Sequence, residues 1–116
     1  RLSLAQVACW IAHCDAFVGV DSGLLQMALA LDRPSVAITG PTDMQFRFTP
    51  TTRAISIRDD GLPCLGCHHR TPRLHWNTDC PFDIACMREV GSAEVFRAVV
   101  SLLEAAPGQP PPKASL

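Results

Sequence analysis

The sequence has no excess of charge of either sign and no long hydrophobic run, and both absences narrow its function. Ten lysine and arginine residues stand against eleven aspartate and glutamate residues, which gives a formal net charge of −1. A nearly neutral chain without a basic stripe is poorly suited to nucleic acid or to an anionic membrane surface, so we expect neither partner. The longest apolar run, Leu24 to Leu31, is broken by Gln26 and is far shorter than the roughly 20 residues of a membrane-spanning helix. We therefore expect no membrane span.

An initiator methionine and a signal-peptide pattern are also missing. The chain begins at Arg1, and the helical pattern is already under way from Leu2, so we expect a piece of a longer protein. Its 116 residues are 47% hydrophobic and 18% charged, which predicts a globular domain with a real core. We predict one domain over residues 1–106 and a flexible, proline-rich tail over 107–116.

The order of the apolar segments is typical of an α/β fold. Ser3 can cap a first helix over Leu4 to Cys14, and a second helix is predicted from Gly23 to Leu31. Short apolar strands are predicted at Ala16–Val20, Ser35–Thr39 and Arg53–Arg58, the first of them buried on both faces. Helices and strands that alternate over short links predict a Rossmann-like parallel sheet with flanking helices.

A final amphipathic helix is predicted to begin at a Ser92 cap. Its inward-facing residues are predicted to be Val95, Phe96, Val99, Val100, Leu102 and Leu103.

Between the third strand and this helix lies a Cys-rich loop excursion, at about residues 60–90, without sustained periodicity. A loop of that length is uncommon unless a function or a cross-link organises it. Cys64-x2-Cys67 and Cys80-x5-Cys86 supply four thiols, and a four-thiolate zinc or iron site would organise the segment. Free thiols and disulfides remain alternatives. Nearby histidines could replace one ligand, although exposed loop histidines are commoner; these are His68, His69 and His75.

The turn Asp21-Ser22-Gly23 joins the first strand to the second helix. The first turn of a helix leaves N–H groups without intrahelical partners, and together with the helix dipole they favour a phosphate. The N–H groups of Ser22, Gly23 and Leu24 would point at it, while Asp21 could accept hydrogen bonds from sugar hydroxyls. The alternatives are a plain strand-to-helix turn, in which Asp21 caps the helix and Gly23 supplies a positive φ.

Two further features extend this possible anion site. Gln26 lies one turn into the helix and could donate to a phosphate oxygen, although a solvated side chain is the simpler interpretation. Gly40-Pro41-Thr42 follows the second strand, so adjacent parallel strands would place both loops on one edge of the sheet. Gly40 would then allow close approach of a ligand, and Thr42 could bind a phosphate or a ribose. Taken alone, a Gly-Pro-Thr-Asp sequence is more often just a turn.

Several motifs in the correct order resemble the carboxyl-terminal domain of the ADP-heptose:lipopolysaccharide heptosyltransferases, glycosyltransferase family nine. The motifs that carry the resemblance are Val18–Leu24, Ala28–Leu31, Pro34–Ile38 and Gly40–Thr42. The resemblance implies the carboxyl-terminal half of a GT-B fold, in which two Rossmann-like domains form the active site in the cleft between them. Related transferases also carry cysteines in the stretch that is Cys-rich here.

This resemblance implies roles for the two loops. Asp21 would contact the sugar of an ADP-sugar donor, the N–H groups of Ser22 to Leu24 would bind its diphosphate, and Gly40, Pro41 and Thr42 would line the nucleotide side. The sequence departs from the family at Gln26, where a histidine is usual, and glutamine cannot carry a positive charge.

The resemblance also implies the function of the whole enzyme. It would be an inverting glycosyltransferase that transfers a heptose-like sugar to a lipopolysaccharide-core or protein acceptor held by an amino-terminal domain. That domain would also carry the catalytic base, so no catalytic residue is assigned here and the fragment alone would be inactive. A cytoplasmic location, peripheral to the inner membrane, would follow. The alternative is a catalytically inactive Rossmann-like interaction module organised by the four-cysteine metal site.

Overall fold

The computed structural model describes residues 1–44, 53–70 and 80–105. The predicted tail at 107–116, His75 and part of the Cys-rich segment lie outside these ranges. In chain order the elements are α1 (Leu4–His13), β1 (Phe17–Val20), α2 (Gly23–Ala30), β2 (Ser35–Ile38), β3 (Ala54–Ile57), α3 (Cys67–Arg70), α4 (Ala85–Arg88) and α5 (Ser92–Glu104). The predicted α/β class is confirmed.

The described strands form one parallel sheet in the order β1-β2-β3. Val20 pairs with Ile38 and Ile38 pairs with Ile57, so the carboxyl ends of all three strands lie at the same level. The loops that follow them therefore open on one edge of the sheet, as the sequence predicts for Asp21 and for Gly40–Thr42.

Helices cover both faces of this sheet. Val36 and Ala37 are successive residues of β2, so their side chains point to opposite faces. Val36 packs in a cluster with Leu102 of α5, whereas Ala37 packs in a second cluster with Leu25 of α2. Helix α1 packs against α2. The result is a helix–sheet–helix arrangement, which is typical of Rossmann-like folds.

Serine side chains fix the starts of the first two helices. Ser3 forms a reciprocal capping box with Gln6, and the Ser22 side chain accepts a hydrogen bond from the Leu25 N–H. The predicted Ser92 cap is wrong, because Gly91 is the N-cap of α5 and forms no side-chain cap hydrogen bond.

Two burial predictions are also wrong. β1 is an edge strand of the described sheet, and Val18 and Val20 are exposed. On α5, Phe96 and Leu103 are exposed, whereas Ala98 and Leu102 form the buried stripe. The cause is the same in both cases, since an apolar side chain is buried only where another element covers it.

The described part of the Cys-rich segment has more regular structure than its sequence predicts. Two single-turn helices, α3 and α4, lie within residues 60–90, where the aperiodic sequence predicts only a loop. Within the described ranges, no helix is long and apolar enough to cross a membrane.

Candidate functional site

A cavity of about 510 Å³ lies at the carboxyl edge of the sheet. The turn after β1 contributes Asp21, Ser22 and Gly23 to its lining, and α2 contributes Gln26. The loop after β2 contributes Pro41 and Thr42, so the structure brings the two sequence-predicted loops together around one space.

Ser22, not Asp21, caps helix α2. The Ser22 backbone is extended, and its Oγ accepts a hydrogen bond from the Leu25 N–H over 3.4 Å. The alternative in which Asp21 is the capping residue is therefore wrong. Its carboxylate lies on the cavity wall, where Gln26 Nε2 donates to Asp21 Oδ1 over 3.5 Å. Gln26 is thus half-buried and hydrogen-bonded rather than solvated.

Gly23 is not required by the backbone conformation at this turn. Among the described glycines, Gly66 is the one that has a positive φ, so the positive-φ explanation for Gly23 is wrong. A Cβ built on Gly23 would meet no atom within 4 Å. Neither strain nor packing within the described residues explains why this position has no side chain.

Two of the predicted donor-site residues, Leu24 and Gly40, are not among the described residues that line this cavity. The Leu24 side chain is exposed and, within the described chain, is absent from the cavity lining. Gly40 instead lines a neighbouring polar cavity of about 300 Å³. There Arg58 forms ion pairs with Asp43 over 3.4 Å and with Asp60 over 2.7 Å, which connect the loop after β2 to the end of β3.

The Cys-rich segment forms part of the site, which the sequence does not predict. The Gly66 N–H donates to the Gly40 carbonyl over 2.8 Å, and the His68 N–H donates to the Pro41 carbonyl over 2.9 Å. These bonds place α3 beside the loop after β2, and His68 and Met87 line the 510 Å³ cavity. The sequence predicts His68 only as a substitute metal ligand or an exposed loop histidine, because nothing local indicates this long-range contact.

The cysteines of the Cys-rich segment affect the pKa of Cys86 without forming a chelating group. Cys86 is 6% exposed, and burial together with the thiols of Cys64, Cys67 and Cys80 raises its pKa above the ordinary value for cysteine. All six cysteines are free thiols.

The described residues contain no group of three or more His, Cys, Asp or Glu side chains placed to hold a metal ion. The donor chemistry fits zinc or iron, whereas the arrangement of the side chains does not. The structure gives no support to the four-cysteine metal site predicted from the sequence, because the thiols influence the charge of Cys86 without converging on one point.

Together, the fold and the cavity define an α/β protein with a cavity at the carboxyl edge of a parallel sheet, the edge at which open α/β sheets bind their ligands. The sequence model of glycosyltransferase family 9 (heptosyltransferase) matches residues 1–76 of the 116. The chain therefore belongs to this family, and the resemblance described above is confirmed.

Individual relatives agree with the family assignment. Lipopolysaccharide heptosyltransferase 1 of Pseudomonas aeruginosa is 38% identical over 71 residues, which are 61% of this chain and 20% of that protein. Lipopolysaccharide heptosyltransferase 2 of Salmonella typhimurium is 51% identical over 55 residues, 47% of this chain and 16% of that protein. The chain thus spans a fifth or less of the length of these relatives. No solved structure matches it significantly.

Proposed function

We propose that this chain is the donor-binding part of an inverting glycosyltransferase, which transfers a heptose-like sugar from an ADP-sugar to a lipopolysaccharide-core or protein acceptor. An amino-terminal domain, as in a GT-B enzyme, would hold the acceptor and supply the catalytic base. Residues 1–106 would form the domain of this fragment. We place the enzyme in the cytoplasm, at the inner membrane surface, on the ground of the family alone.

The observation that carries this proposal is the cavity at the carboxyl edge of the sheet. Ser22 and Gly23 line it at the start of an eight-residue helix, where N–H groups and the helix dipole favour an anion. The Asp21 carboxylate on the same wall is an acceptor for sugar hydroxyls. A diphosphate and a sugar therefore find complementary groups next to each other. The same N–H groups would offset the charge that develops on the departing diphosphate.

Gly23 supports this assignment because the unliganded protein does not need a glycine there. Its backbone conformation is open to any residue, and the space around a Cβ is empty. A ligand that lies against the backbone is a physical reason for the missing side chain. A phosphate bound to the N–H of Gly23 would occupy that space.

Titration with ADP tests the proposal. We expect binding at roughly micromolar to millimolar strength, with amide NMR shifts centred on Ser22, Gly23 and Leu24. The Gly23→Ala variant should bind ADP about tenfold more weakly, because the new methyl group occupies the space of the phosphate. Its free energy of unfolding should not fall, since alanine is the better helix residue.

The matched control is Gly91→Ala. Gly91 lies at the start of α5, and a Cβ there also meets nothing within 4 Å, but it is outside the cavity lining. This variant should bind ADP as the unchanged chain does. An ADP titration that leaves the three amide signals unmoved would rule out the donor site.

A second candidate function is an inactive interaction module that binds a metal through its cysteines. One observation favours it: the thiols of Cys64, Cys67 and Cys80 all lie near enough to raise the pKa of the buried Cys86. Cysteine thiols are soft ligands of the kind that zinc and iron prefer. Because they do not chelate as they stand, metal binding would require them to draw together around the ion.

Titration with Co²⁺, followed by thiolate-to-metal absorption, tests this candidate. A module of this kind should bind one equivalent of Co²⁺ per chain. Cys64→Ser and Cys80→Ser should each weaken Co²⁺ binding at least tenfold. Cys9→Ser is the control, because Cys9 is an exposed cysteine on α1. Equal behaviour of all three variants would exclude the four-cysteine site. Loss of metal with unchanged ADP affinity would make the cysteines structural.

A further inference from the structure

In the lining of the cavity described above, one side chain is of a type that can carry a positive charge. Asp21 brings a negative charge to its wall, while Ser22, Gln26 and Thr42 are neutral hydrogen-bonding groups. His68 is the single Lys, Arg or His among the described residues that line it. A nucleoside diphosphate that enters this space meets the negative charge of the Asp21 carboxylate. His68 is the lining side chain that can offset the negative charge of the diphosphate.

Contacts of the backbone fix the position of His68. Its N–H donates to the Pro41 carbonyl over 2.9 Å, and two residues earlier the Gly66 N–H donates to the Gly40 carbonyl over 2.8 Å. Pro41 and His68 line the same cavity. The imidazole is therefore carried on a segment that is hydrogen-bonded to the loop after β2, and His68 is half-buried rather than solvated.

We infer that His68 is a diphosphate-binding residue, whose imidazole N–H donates to a phosphate oxygen of the bound nucleotide. This inference rests on the proposed function, since it concerns the same cavity. It gives the Cys-rich segment a role at the site: α3 carries the charge-compensating group that the turn after β1 lacks. Gln26, whose amide already donates to Asp21, cannot take that role, because an amide carries no charge.

His69 provides a matched control for this role. It is the next residue of α3, its ring lies edge-on to that of His68 with the centroids 5.6 Å apart, and it is exposed. It is not among the described residues that line the cavity. Replacing either histidine with alanine removes one imidazole from the same short helix, but only His68→Ala removes one from the cavity.

The experiment compares the affinities of ADP and adenosine for the unchanged chain, His68→Ala and His69→Ala. A hydrogen bond to a charged phosphate is lost in His68→Ala, so its ADP affinity should fall about tenfold while its adenosine affinity stays the same. His69→Ala should match the unchanged chain with both ligands. In the unchanged chain, ADP should also shift the ¹⁵N signals of the His68 imidazole, a measurement that does not depend on any variant folding.

The outcomes separate this inference from the proposed function. If the unchanged chain fails to bind ADP, the donor site itself is wrong. If it binds ADP but the imidazole signals of His68 do not move, or His68→Ala binds ADP as His69→Ala does, the role of His68 is overturned and the donor site stands. An equal loss of ADP and adenosine affinity in His68→Ala would also overturn it, because a phosphate contact cannot act on adenosine.

Discussion

Replacing Leu102 with alanine is expected to lower the free energy of unfolding by about 2–5 kcal/mol. Leu102 is 1% exposed and packs on the sheet in a cluster with Val36, Ile55 and Ile57. The shorter side chain loses its transfer free energy and leaves a cavity that β2 and β3 cannot fill without moving. A loss of this size is a large fraction of the total stability of a small domain, roughly 5–15 kcal/mol. Urea denaturation followed by circular dichroism measures it.

The neighbouring residue supplies the control for this prediction. Leu103 lies on the same helix and has the same side chain, but it is 49% exposed. Leu103→Ala should cost less than about 1 kcal/mol, because little apolar surface is withdrawn from water at this position. If both variants lost the same stability, the placement of α5 on the sheet would be wrong.

The elements themselves were largely predictable, because their signals are local. A serine cap followed by apolar residues at helical spacing marks the start of α1, whereas the Asp21-Ser22-Gly23 turn and the apolar run after it mark the start of α2. The predicted strand Ser35–Thr39 differs from the observed β2, Ser35–Ile38, by one residue. An all-apolar strand between helices also indicates a parallel sheet, and the register then aligns the loops after β1 and β2.

Burial was less predictable, because it depends on what covers an element. Val18 and Val20 have the sequence of a buried strand, yet β1 lies at the edge of the described sheet. On α5, apolar residues occupy more than half of the circumference, but only one side of the helix meets the sheet. The sequence therefore does not tell that Phe96 and Leu103 lie on the exposed side. A sequence pattern gives the polarity of a face and not the identity of its neighbour.

The site was predictable in its first half and not in its second. Asp21, Ser22, Gly23 and Gln26 are close in sequence, so strand-then-helix geometry alone places them around one space. His68 reaches the same cavity through a hydrogen bond to the Pro41 carbonyl, from an aperiodic segment whose fold depends on long-range contacts. No periodic pattern signals such a contact. The four cysteines of that segment indicate metal chemistry and give no sign of the cavity that His68 lines.

The second large effect is expected at Gly40, where Gly40→Ala should lower the free energy of unfolding by about 1–3 kcal/mol. A Cβ on Gly40 would lie 2.6 Å from both Cβ and Sγ of Cys86 and 3.2 Å from the Cys86 carbonyl oxygen. The Cys86 side chain is too short to turn away, so the backbone of α4 must shift. Urea denaturation measures the cost, and Gly91→Ala, which introduces the same methyl group into open space, should lose only the smaller N-cap contribution of Gly91, below about 1 kcal/mol.

A double-mutant cycle with Cys86→Gly tests whether this contact is the cause. Removing the Cys86 side chain eliminates both 2.6 Å contacts, so the cost of Gly40→Ala should be smaller in the Cys86→Gly background by about 1 kcal/mol or more. Strictly additive costs would show that the strain arises elsewhere.

The thiol of Cys86 gives a second, local readout of the same packing. Since Cys86 is buried against Gly40, iodoacetamide should modify it more slowly than the exposed Cys9 in the unchanged chain. Gly40→Ala should accelerate the modification of Cys86 selectively, because α4 must move away from the loop after β2.

The same variant should also weaken ADP binding, because His68 and Met87 of the Cys-rich segment line the 510 Å³ cavity. The glycine that allows the Cys-rich segment to pack would then also set the shape of the donor site. Unchanged ADP affinity together with a faster reaction at Cys86 would separate the packing of α4 from the ligand site.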